Sequence, residues 1–175
     1  MNKMNEKKIK IGIIGFGNMG SAIAERIKSE YIISVFDKDK TKTKSLVGID
    51  VQDSIASLVK GSEVIILAIK PQDFEVVLSE IRDDTKDKLI ISIAAGKTTR
   101  EIEKMLGSVK VVRAMPNIGA KIGEAESVLC KGRNASDEDL FFSQRLFDCI
   151  GKTWTMEEKM LNAATAISGS GPAYI

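Results

Sequence analysis

The sequence predicts an α/β fold of the doubly wound type, with a mainly parallel sheet and helices on both faces. Short apolar runs alternate with segments of helical period through most of the 175 residues, and this alternation is typical of parallel sheets. Residues 64–69 form a nearly continuous apolar run, as expected of a strand that helices cover on both sides. The fold class follows from these two observations.

The strands are predicted from apolar runs rich in β-branched residues, and the helices from apolar stripes and capping residues. Pro71 suits the first turn of a helix, Thr98 and Glu101 predict a capping box, and Ser136 predicts a further N-cap. The predicted strands are residues 8–14, 32–36, 64–69, 89–93, 110–113 and 127–130. The predicted helices are residues 18–28, residues 157–167 and the three that open near Pro71, Thr98 and Ser136.

Composition and charge exclude several functional classes. The net charge is +2 and charges of both signs are mixed along the chain, so the concentrated basic face that nucleic-acid binding requires is not expected. No run approaches the roughly 20 apolar residues of a membrane span, and the first residues lack the apolar run of a signal peptide. We therefore expect a cytoplasmic protein that binds neither nucleic acid nor a membrane.

The absence of histidine limits the chemistry that the protein can perform by itself. The chain has no histidine, which excludes a Ser-His-Asp triad, a Cys-His pair and the usual histidine-rich zinc sites. Cys130 and Cys149 form no CxxC pair, and we expect both simply to pack against neighbouring side chains, with no metal site. A bound organic cofactor must therefore supply most of the chemistry, while the protein supplies position and electrostatics.

A glycine-rich motif stands where such a cofactor would bind. It follows the first predicted strand and opens the first predicted helix, which is the context that a G-x-G-x-x-G dinucleotide fingerprint requires. The first glycine permits a tight turn, the second lets the backbone approach a pyrophosphate, and the third lets helix and strand pack closely. The helix N-terminus offers N–H donors to the phosphates. This predicted cofactor site of Rossmann type comprises Gly15, Phe16, Gly17, Asn18, Met19 and Gly20.

Asp37 ends the second predicted strand, about 20 residues after Gly15, where an acidic side chain would hydrogen-bond the hydroxyls of the adenosine ribose. An aspartate there favours NADH, because it would repel the 2′-phosphate of NADPH. Lys38, Lys40 and Lys42 follow at once, and any of them is close enough in sequence to pair with that phosphate. The residues themselves therefore leave the preference between NADPH and NADH open, with Asp37 and Lys38 assigned to the adenosine half.

Four further segments extend the pattern. Residues 68–71 (AIKP), 92–96 (SIAAG) and 113–117 (RAMPN) end three successive predicted strands, and residues 168–174 (SGSGPAY) come last. In an open parallel sheet, ligands lie beyond the carboxyl ends of the strands, so the first three segments are expected at the cofactor edge. In this order and spacing, and together with the glycine-rich motif, the segments resemble those of pyrroline-5-carboxylate reductases. The resemblance covers nearly the whole chain.

The resemblance implies a cofactor and a set of contacts. Members of this family usually use NADPH and sometimes NADH, and NADPH is the cofactor that we expect. The family pattern assigns two of the segments to the nicotinamide half of the cofactor. It assigns the third to the pocket beside the ring, which makes Asn117 a candidate pocket residue. The residues assigned in this way are Ala68, Lys70, Pro71, Ala94, Ala95, Met115, Pro116 and Asn117.

The resemblance also implies the reaction, which is the NAD(P)H-dependent reduction of 1-pyrroline-5-carboxylate, a small cyclic imine, to L-proline in proline biosynthesis. It implies a cofactor-binding domain over residues 1–156 and the truncated start of a helical dimerisation domain over residues 157–175. In the family, that helical domain forms a homo-oligomer and carries the main substrate-binding residues. We therefore assign no catalytic residue within residues 1–175, and we expect this chain alone to bind cofactor with weak or no turnover.

Two other classes of function stay open at this point. A related nicotinamide enzyme, such as a hydroxyacid dehydrogenase or a deazaflavin-dependent NADP reductase, shares the glycine-rich turn and the parallel sheet. A non-catalytic dinucleotide-binding module would need no substrate domain. Residues 94–96, 115–117 and 169–172 fit the proline-forming reductase better than a related enzyme.

Overall fold

A computed structural model describes residues 8–161 of the chain, and within them one eight-stranded sheet carries helices on both faces. The strands are β1 (Lys10–Ile14), β2 (Ile32–Phe36), β3 (Asp50–Val51), β4 (Val64–Leu67), β5 (Leu89–Ser92), β6 (Lys110–Met115), β7 (Ala125–Lys131) and β8 (Gly151–Thr155). The α-helices are α1 (Asn18–Ile27), α2 (Ile55–Gly61), α3 (Phe74–Ile81), α4 (Thr99–Leu106) and α5 (Asp137–Asp148). Residues 158–161 are also helical.

The sheet has the strand order β3-β2-β1-β4-β5-β6-β7-β8. Its neighbouring strands are parallel except β6 and β7, which pair antiparallel. The chain moves outward from β1 to β2 and β3, then returns to place β4 on the other side of β1. Such a reversal opens a crevice beyond the carboxyl ends of the two central strands, where open α/β sheets bind ligands. The prediction of a mainly parallel, doubly wound sheet is confirmed.

Two hydrophobic cores lie on opposite faces of the sheet. Val64 and Ile66 of β4 join the core that α1 and α5 cover, whereas Ile65 and Leu67 join the core that α2, α3 and α4 cover. All four side chains are at most 5% exposed. Because successive side chains of a strand point to opposite faces, a strand buried on both sides needs an unbroken apolar run. The apolar run of residues 64–69 has this origin.

The predicted helix starts agree with the structure. Thr98 and Glu101 form a reciprocal capping box at the start of α4, and Ser136 forms another with Asp139 at the start of α5. Pro71 opens a 3-10 turn (Pro71–Asp73) that leads directly into α3. The side chains of the two capping boxes satisfy backbone N–H groups that the helix itself leaves without partners.

Three elements, β3, α2 and β8, were not predicted from the sequence, and β6 was predicted too short. β3 has two residues and α2 has seven, so neither offers enough length for a periodic pattern. β8 lies at the edge of the sheet, and its side chains are half-buried or exposed, which leaves no apolar run to detect. β6 continues to Met115 because Met115 pairs with Val128 of β7. The predicted helix of residues 157–167 is observed from 158 to 161, and the remainder lies outside the described residues.

Candidate functional site

The candidate site lies at the carboxyl edge of the parallel strands. The glycine-rich turn follows β1, Asp37 follows β2, residues 68–71 follow β4, residues 93–96 follow β5, and Met115 ends β6. Because β2, β1, β4, β5 and β6 are adjacent and parallel, these segments meet at one edge. The sheet order places Asp37 towards one end of this edge and Met115 towards the other.

The three glycines of the turn have different surroundings. Gly15 has a φ of +98°, and a Cβ there would lie 2.4 Å from the carbonyl oxygen of Ala68. A Cβ at Gly20 would lie 2.1 Å from the carbonyl oxygen of Gly15, so the turn needs glycine at both positions to close against α1. A Cβ at Gly17 would meet nothing within 4 Å. The space above Gly17 is therefore open.

The start of α1 is suited to an anion. Gly17 occupies the N-cap position, without a side-chain cap, and the first turn carries no acidic residue. The first N–H groups of a helix lack intrahelical partners, and the helix dipole places partial positive charge there. The open space above Gly17 and these donors leave room for an anion, and the contact of residues 15–20 with a pyrophosphate stays a prediction.

Asp37 ties the end of β2 to the glycine-rich turn. Its Oδ2 accepts a hydrogen bond from the Phe16 N–H at 2.7 Å, and its Oδ1 accepts one from the Asp39 N–H at 2.8 Å. The Lys42 ammonium lies 3.2 Å from Oδ1, and Asp37 is 7% exposed. Burial alone would raise the pKa of Asp37, but these hydrogen bonds and the Lys42 charge together lower it below its usual value. The carboxylate is therefore ionised, and Lys42 balances its charge.

The other two lysines after β2 have partners of their own. The Lys38 Nζ lies 2.7 Å from Oδ1 of Asp73, and its side chain is 76% exposed. The Lys40 Nζ is 3.4 Å from the carbonyl oxygen of Gln52 and 4.8 Å from the centre of the Phe36 ring. Lys40 is thus directed towards the residues that follow β3, whereas Lys38 extends over the site from the end of β2 to the turn after β4. Asp73 was not predicted as a site residue, although its place two residues after Pro71 could have indicated it.

The residues predicted to contact the nicotinamide half of the cofactor differ in exposure. Ala68 is half-buried, Lys70, Pro71 and Ala95 are exposed, and Ala94 is 4% exposed within the core on the α2–α4 side. Ala94 therefore packs in the core, while Ala95 presents its methyl group at the edge. Whether each contacts a nicotinamide ring stays a prediction.

Asn117 builds the loop after β6. Its Oδ1 accepts hydrogen bonds from the N–H groups of Gly119, at 3.1 Å, and Glu126, at 3.2 Å. Within residues 8–161 the Nδ2 group of Asn117 has no acceptor, so the donor end of the amide is available to a ligand. Met115 is half-buried and Pro116 is buried. Their predicted position beside the nicotinamide ring is not tested by these observations.

A hollow of about 200 Å³ separates this loop from α1. The Lys121 Nζ crosses from the loop to Oδ1 of Asn18 at 3.3 Å. Ile118 and Lys121 were not predicted as site residues, although both lie within four residues of the end of the RAMPN motif. The hollow is lined by Asn18, Met19, Ala22, Ile118, Ala120 and Lys121.

Arg113, the first residue of the RAMPN motif, lies in the interior of β6. It is 3% exposed, and its Nη1 is 3.0 Å from Oε1 of Glu158. Glu158 also accepts hydrogen bonds from the N–H and Oγ1 of Thr99 at 2.7 and 2.8 Å. The guanidinium therefore anchors the segment after β8, and the residues of the motif that are predicted to contact the cofactor begin at Met115.

Both cysteines have unpaired thiols. Cys130 is 4% exposed and packs with Val128 and Leu161, and burial together with the Glu158 charge raises its pKa to about 11. Cys149 is half-buried against the α1–α5 core, and burial also raises its pKa. Both thiols are therefore protonated at neutral pH and unreactive, and the prediction that they pack is confirmed.

None of the helices within residues 8–161 has the length and apolar character needed to cross a bilayer.

Comparison with known proteins identifies the family. A protein-family model described as "NADP oxidoreductase coenzyme F420-dependent" matches residues 10–96. The pyrroline-5-carboxylate reductase of Methanosarcina acetivorans is 39% identical over 179 residues, which cover 95% of this chain and 65% of the relative. That of Schizosaccharomyces pombe is 37% identical over 189 residues, covering 93% of this chain and 67% of the relative. The chain belongs to the pyrroline-5-carboxylate reductase family.

Solved structures agree with this membership in the pyrroline-5-carboxylate reductase family. The crystal structure of Plasmodium falciparum pyrroline carboxylate reductase with NADP bound has a TM-score of 0.85 and 32% identity, covering 95% of this chain and 64% of that chain. The chain thus spans slightly less than two thirds of the length of several relatives that it matches. The family motif at residues 168–174 lies outside the described residues.

Proposed function

We propose that the chain is the cofactor-binding part of a pyrroline-5-carboxylate reductase that reduces 1-pyrroline-5-carboxylate to L-proline with NADPH. The observation that carries the proposal is the family membership, which extends over 95% of the chain at 39% identity to one relative. The open space above Gly17 supports it, because a dinucleotide pyrophosphate needs that approach to the backbone.

The residues at the site fit a dinucleotide along its length. The N–H groups at the start of α1 would hold the pyrophosphate, and Asp37 and Lys38 would contact the adenosine half. The exposed methyl group of Ala95 and the loop from Met115 to Asn117 would meet the nicotinamide half. The NADP in the Plasmodium relative supports the same cofactor for this chain.

The balance of charge at the adenosine end favours NADPH. The carboxylate of Asp37 is paired with Lys42 at 3.2 Å, which offsets the repulsion that a bare aspartate would exert on a 2′-phosphate. Lys38 is exposed beside it and carries a positive charge that this phosphate can pair with. NADH is the alternative cofactor, and it would gain nothing from Lys38.

The reaction asks little acid–base chemistry of the protein. NADPH, when bound, supplies the hydride from C4 of its dihydronicotinamide to the ring carbon of the substrate C=N bond. An imine nitrogen protonates readily and the iminium accepts hydride well, so the absence of histidine is no obstacle. The chain contributes alignment and exclusion of water, and alignment alone can lower a barrier by about 7–11 kcal/mol.

The remaining part of the substrate site would come from a helical domain that follows residue 157, and that domain would form the homo-oligomer. Two contacts support a domain connection at this point. Glu158 pairs with the buried Arg113, and Leu161 is fully buried against Val128 and Cys130. The first helical turn after β8 is therefore attached to the sheet.

The experiment is a titration of the purified chain with NADPH and with NADH, followed by an assay of pyrroline-5-carboxylate reduction with the tighter cofactor. We expect NADPH to bind and turnover to be weak or undetectable until the rest of the helical domain is supplied by a full-length relative's sequence fused after residue 175. Binding of neither dinucleotide, or a fused enzyme that binds NADPH but leaves the imine unreduced, would contradict the proposal.

A second function is favoured by one observation, the F420-dependent description of the family model that matches residues 10–96. The matched residues include the glycine-rich turn, Asp37 and the segment after β4, so the match bears on the binding of the dinucleotide. The match stops before the loop at Met115 that would face a second substrate. Oxidation of a reduced deazaflavin by NADP in the fused enzyme, without reduction of the imine, would establish this alternative.

A further inference from the structure

We propose that Asp73 is a specificity-determining residue, which acts as the counter-ion of Lys38 and weakens the binding of a 2′-phosphate at the adenosine end of the site. The inference rests on the proposed function, because it concerns the choice between NADPH and NADH. It adds a residue that lies outside the glycine-rich motif and outside the segments predicted to contact the cofactor.

The position of the ion pair carries the argument. Lys38 follows β2, and Asp73 lies in the turn after β4, while β1 lies between these two strands. The 2.7 Å contact between Lys38 Nζ and Asp73 Oδ1 therefore spans the end of β1, from which the glycine-rich turn departs. A ligand that reaches from this turn to Asp37 passes beside the pair.

The side chain of Asp73 has no evident structural role apart from its ion pair with Lys38. It occupies the N-cap position of α3, yet its side chain makes no capping hydrogen bond. Within residues 8–161, the Asp73 carboxylate has Lys38 as its one hydrogen-bonding and ionic partner. Its own backbone N–H donates to the carbonyl oxygen of Lys70, and an amide side chain in place of the carboxylate leaves this bond unchanged.

Lys38 is the lysine at this edge that a phosphate can recruit most easily. Lys42 balances the buried Asp37, and Lys40 donates to backbone carbonyl oxygens at the end of β3. Lys38 is 76% exposed, and ion pairs of exposed groups are weak. A 2′-phosphate carries about 1.5 to 2 negative charges, compared with one on a carboxylate. The phosphate therefore competes successfully for Lys38, but it must displace the Asp73 carboxylate from the Lys38 ammonium, and this competition reduces the gain.

The test compares affinities of the 175-residue chain and its variants for NADPH and NADH by calorimetric titration. In Asp73→Asn we expect NADPH to bind about three- to tenfold more tightly, with NADH changed by less than about twofold. Asp73→Glu restores the charge and is expected to keep a ratio of affinities near that of the wild type. An unchanged ratio in Asp73→Asn overturns the inference.

A double variant tests whether Asp73 acts through Lys38. Lys38→Met is expected to weaken NADPH by about tenfold and to leave NADH nearly unchanged. Adding Asp73→Asn to Lys38→Met should then change NADPH affinity by less than about twofold. A full gain in the double variant would show direct repulsion and would overturn the assigned role of Lys38.

A matched control removes an equal charge elsewhere. Asp84, in the turn after α3, pairs with Lys60 of α2 at 3.8 Å. Both residues lie outside the site. Asp84→Asn is expected to leave both affinities unchanged, and an equal gain for NADPH there would assign the effect to net charge and overturn the inference. Failure of the proposed function has a different signature, since the wild-type chain would then bind neither dinucleotide.

Discussion

The guanidinium of Arg113 and the carboxylate of Glu158 form a salt bridge of 3.0 Å that joins the interior of β6 to the helical turn after β8. The Arg113 side chain is 4% exposed and that of Glu158 is 28% exposed. Because Glu158 also accepts two hydrogen bonds from Thr99 at the start of α4, it connects three parts of the chain. This carboxylate, together with the buried Leu161, holds the turn after β8 against the sheet.

Replacing Glu158 with glutamine tests the importance of the pair. The amide keeps the shape but leaves the buried guanidinium without its counter-ion, so we expect a loss of about 1–3 kcal/mol in the free energy of unfolding. The measurement is urea denaturation followed by circular dichroism. Glu157→Gln is the control, because Glu157 pairs with Lys159 on the surface, where both side chains are at least 73% exposed. Equal losses in the two variants would contradict the prediction.

The same carboxylate makes stability depend on pH. Burial alone would raise the pKa of Glu158, but the hydrogen bonds from Thr99 and Arg113 and the Arg113 charge lower it below its usual value. A carboxyl whose pKa is lower in the folded state contributes stability above its unfolded pKa of about 4.3, and this contribution disappears as pH falls through the folded pKa.

We therefore expect the free energy of unfolding to fall progressively below about pH 5, with a smaller fall in Glu158→Gln. Asp37 contributes in the same direction, because its pKa is also lowered, so the variant should keep part of the dependence. Denaturant titrations at several pH values between about 3 and 7 measure it. A wild-type protein that gains stability on acidification, or a variant with the full dependence, would refute this assignment.

Two glycines separate ligand binding from folding. The backbone conformation at Gly17, with φ of −80°, is one that any residue type adopts, and an added Cβ meets nothing within 4 Å. Gly17→Ala should therefore fold with a cost below about 1 kcal/mol, yet lose tenfold or more in dinucleotide affinity, because the methyl group occupies the approach of the pyrophosphate. Fluorescence titration with NADPH measures the affinity, and unchanged binding would count against the site.

Gly20→Ala is the matched comparison, since its Cβ would lie 2.1 Å from the carbonyl oxygen of Gly15. The backbone must shift, so we expect destabilisation of about 1–3 kcal/mol together with weaker binding. Thermal unfolding of the two variants side by side distinguishes the effects.

The two ends of the Asn117 amide have separable roles. Asn117→Asp keeps an oxygen to accept from Gly119 and Glu126 but removes the donor, so it should fold normally and change only nicotinamide binding or turnover. Asn117→Ala removes the acceptor for two backbone N–H groups and should cost about 1–2 kcal/mol. If Asn117→Asp unfolds as readily as Asn117→Ala, or leaves binding and turnover unchanged, the donor end has no ligand role.

The sequence predicted the central part of the fold well because its signals are local. The two-sided burial of β4 gives an apolar run, and the capping boxes at Thr98 and Ser136 are each contained in four residues. β8 escaped detection because an edge strand with exposed side chains has no apolar pattern. The antiparallel orientation of β7 depends on its pairing with β6, and the local sequence does not specify that orientation.

The candidate site was predictable where backbone geometry dictates residue type. Gly15 and Gly20 are needed wherever a strand turns sharply into a helix that packs on it. The partners of Asp37 and Lys38 were not predictable, because they arise from contacts between segments distant in sequence, such as Lys38 with Asp73. Arg113 opens the RAMPN motif, which was predicted at the cofactor edge, and only its burial opposite Glu158 reveals a structural role.

The hydrogen bond from the Phe16 N–H to Asp37 has a consequence for kinetics. It fastens the glycine-rich turn to the end of β2, so the part of the site predicted to bind the phosphates and the part predicted to bind the ribose move together. The end of the site predicted for the adenosine is then assembled before a dinucleotide arrives, so binding requires no slow rearrangement there. Association should be a single exponential process in stopped-flow fluorescence, with a rate that rises linearly with dinucleotide concentration and decreases with added salt.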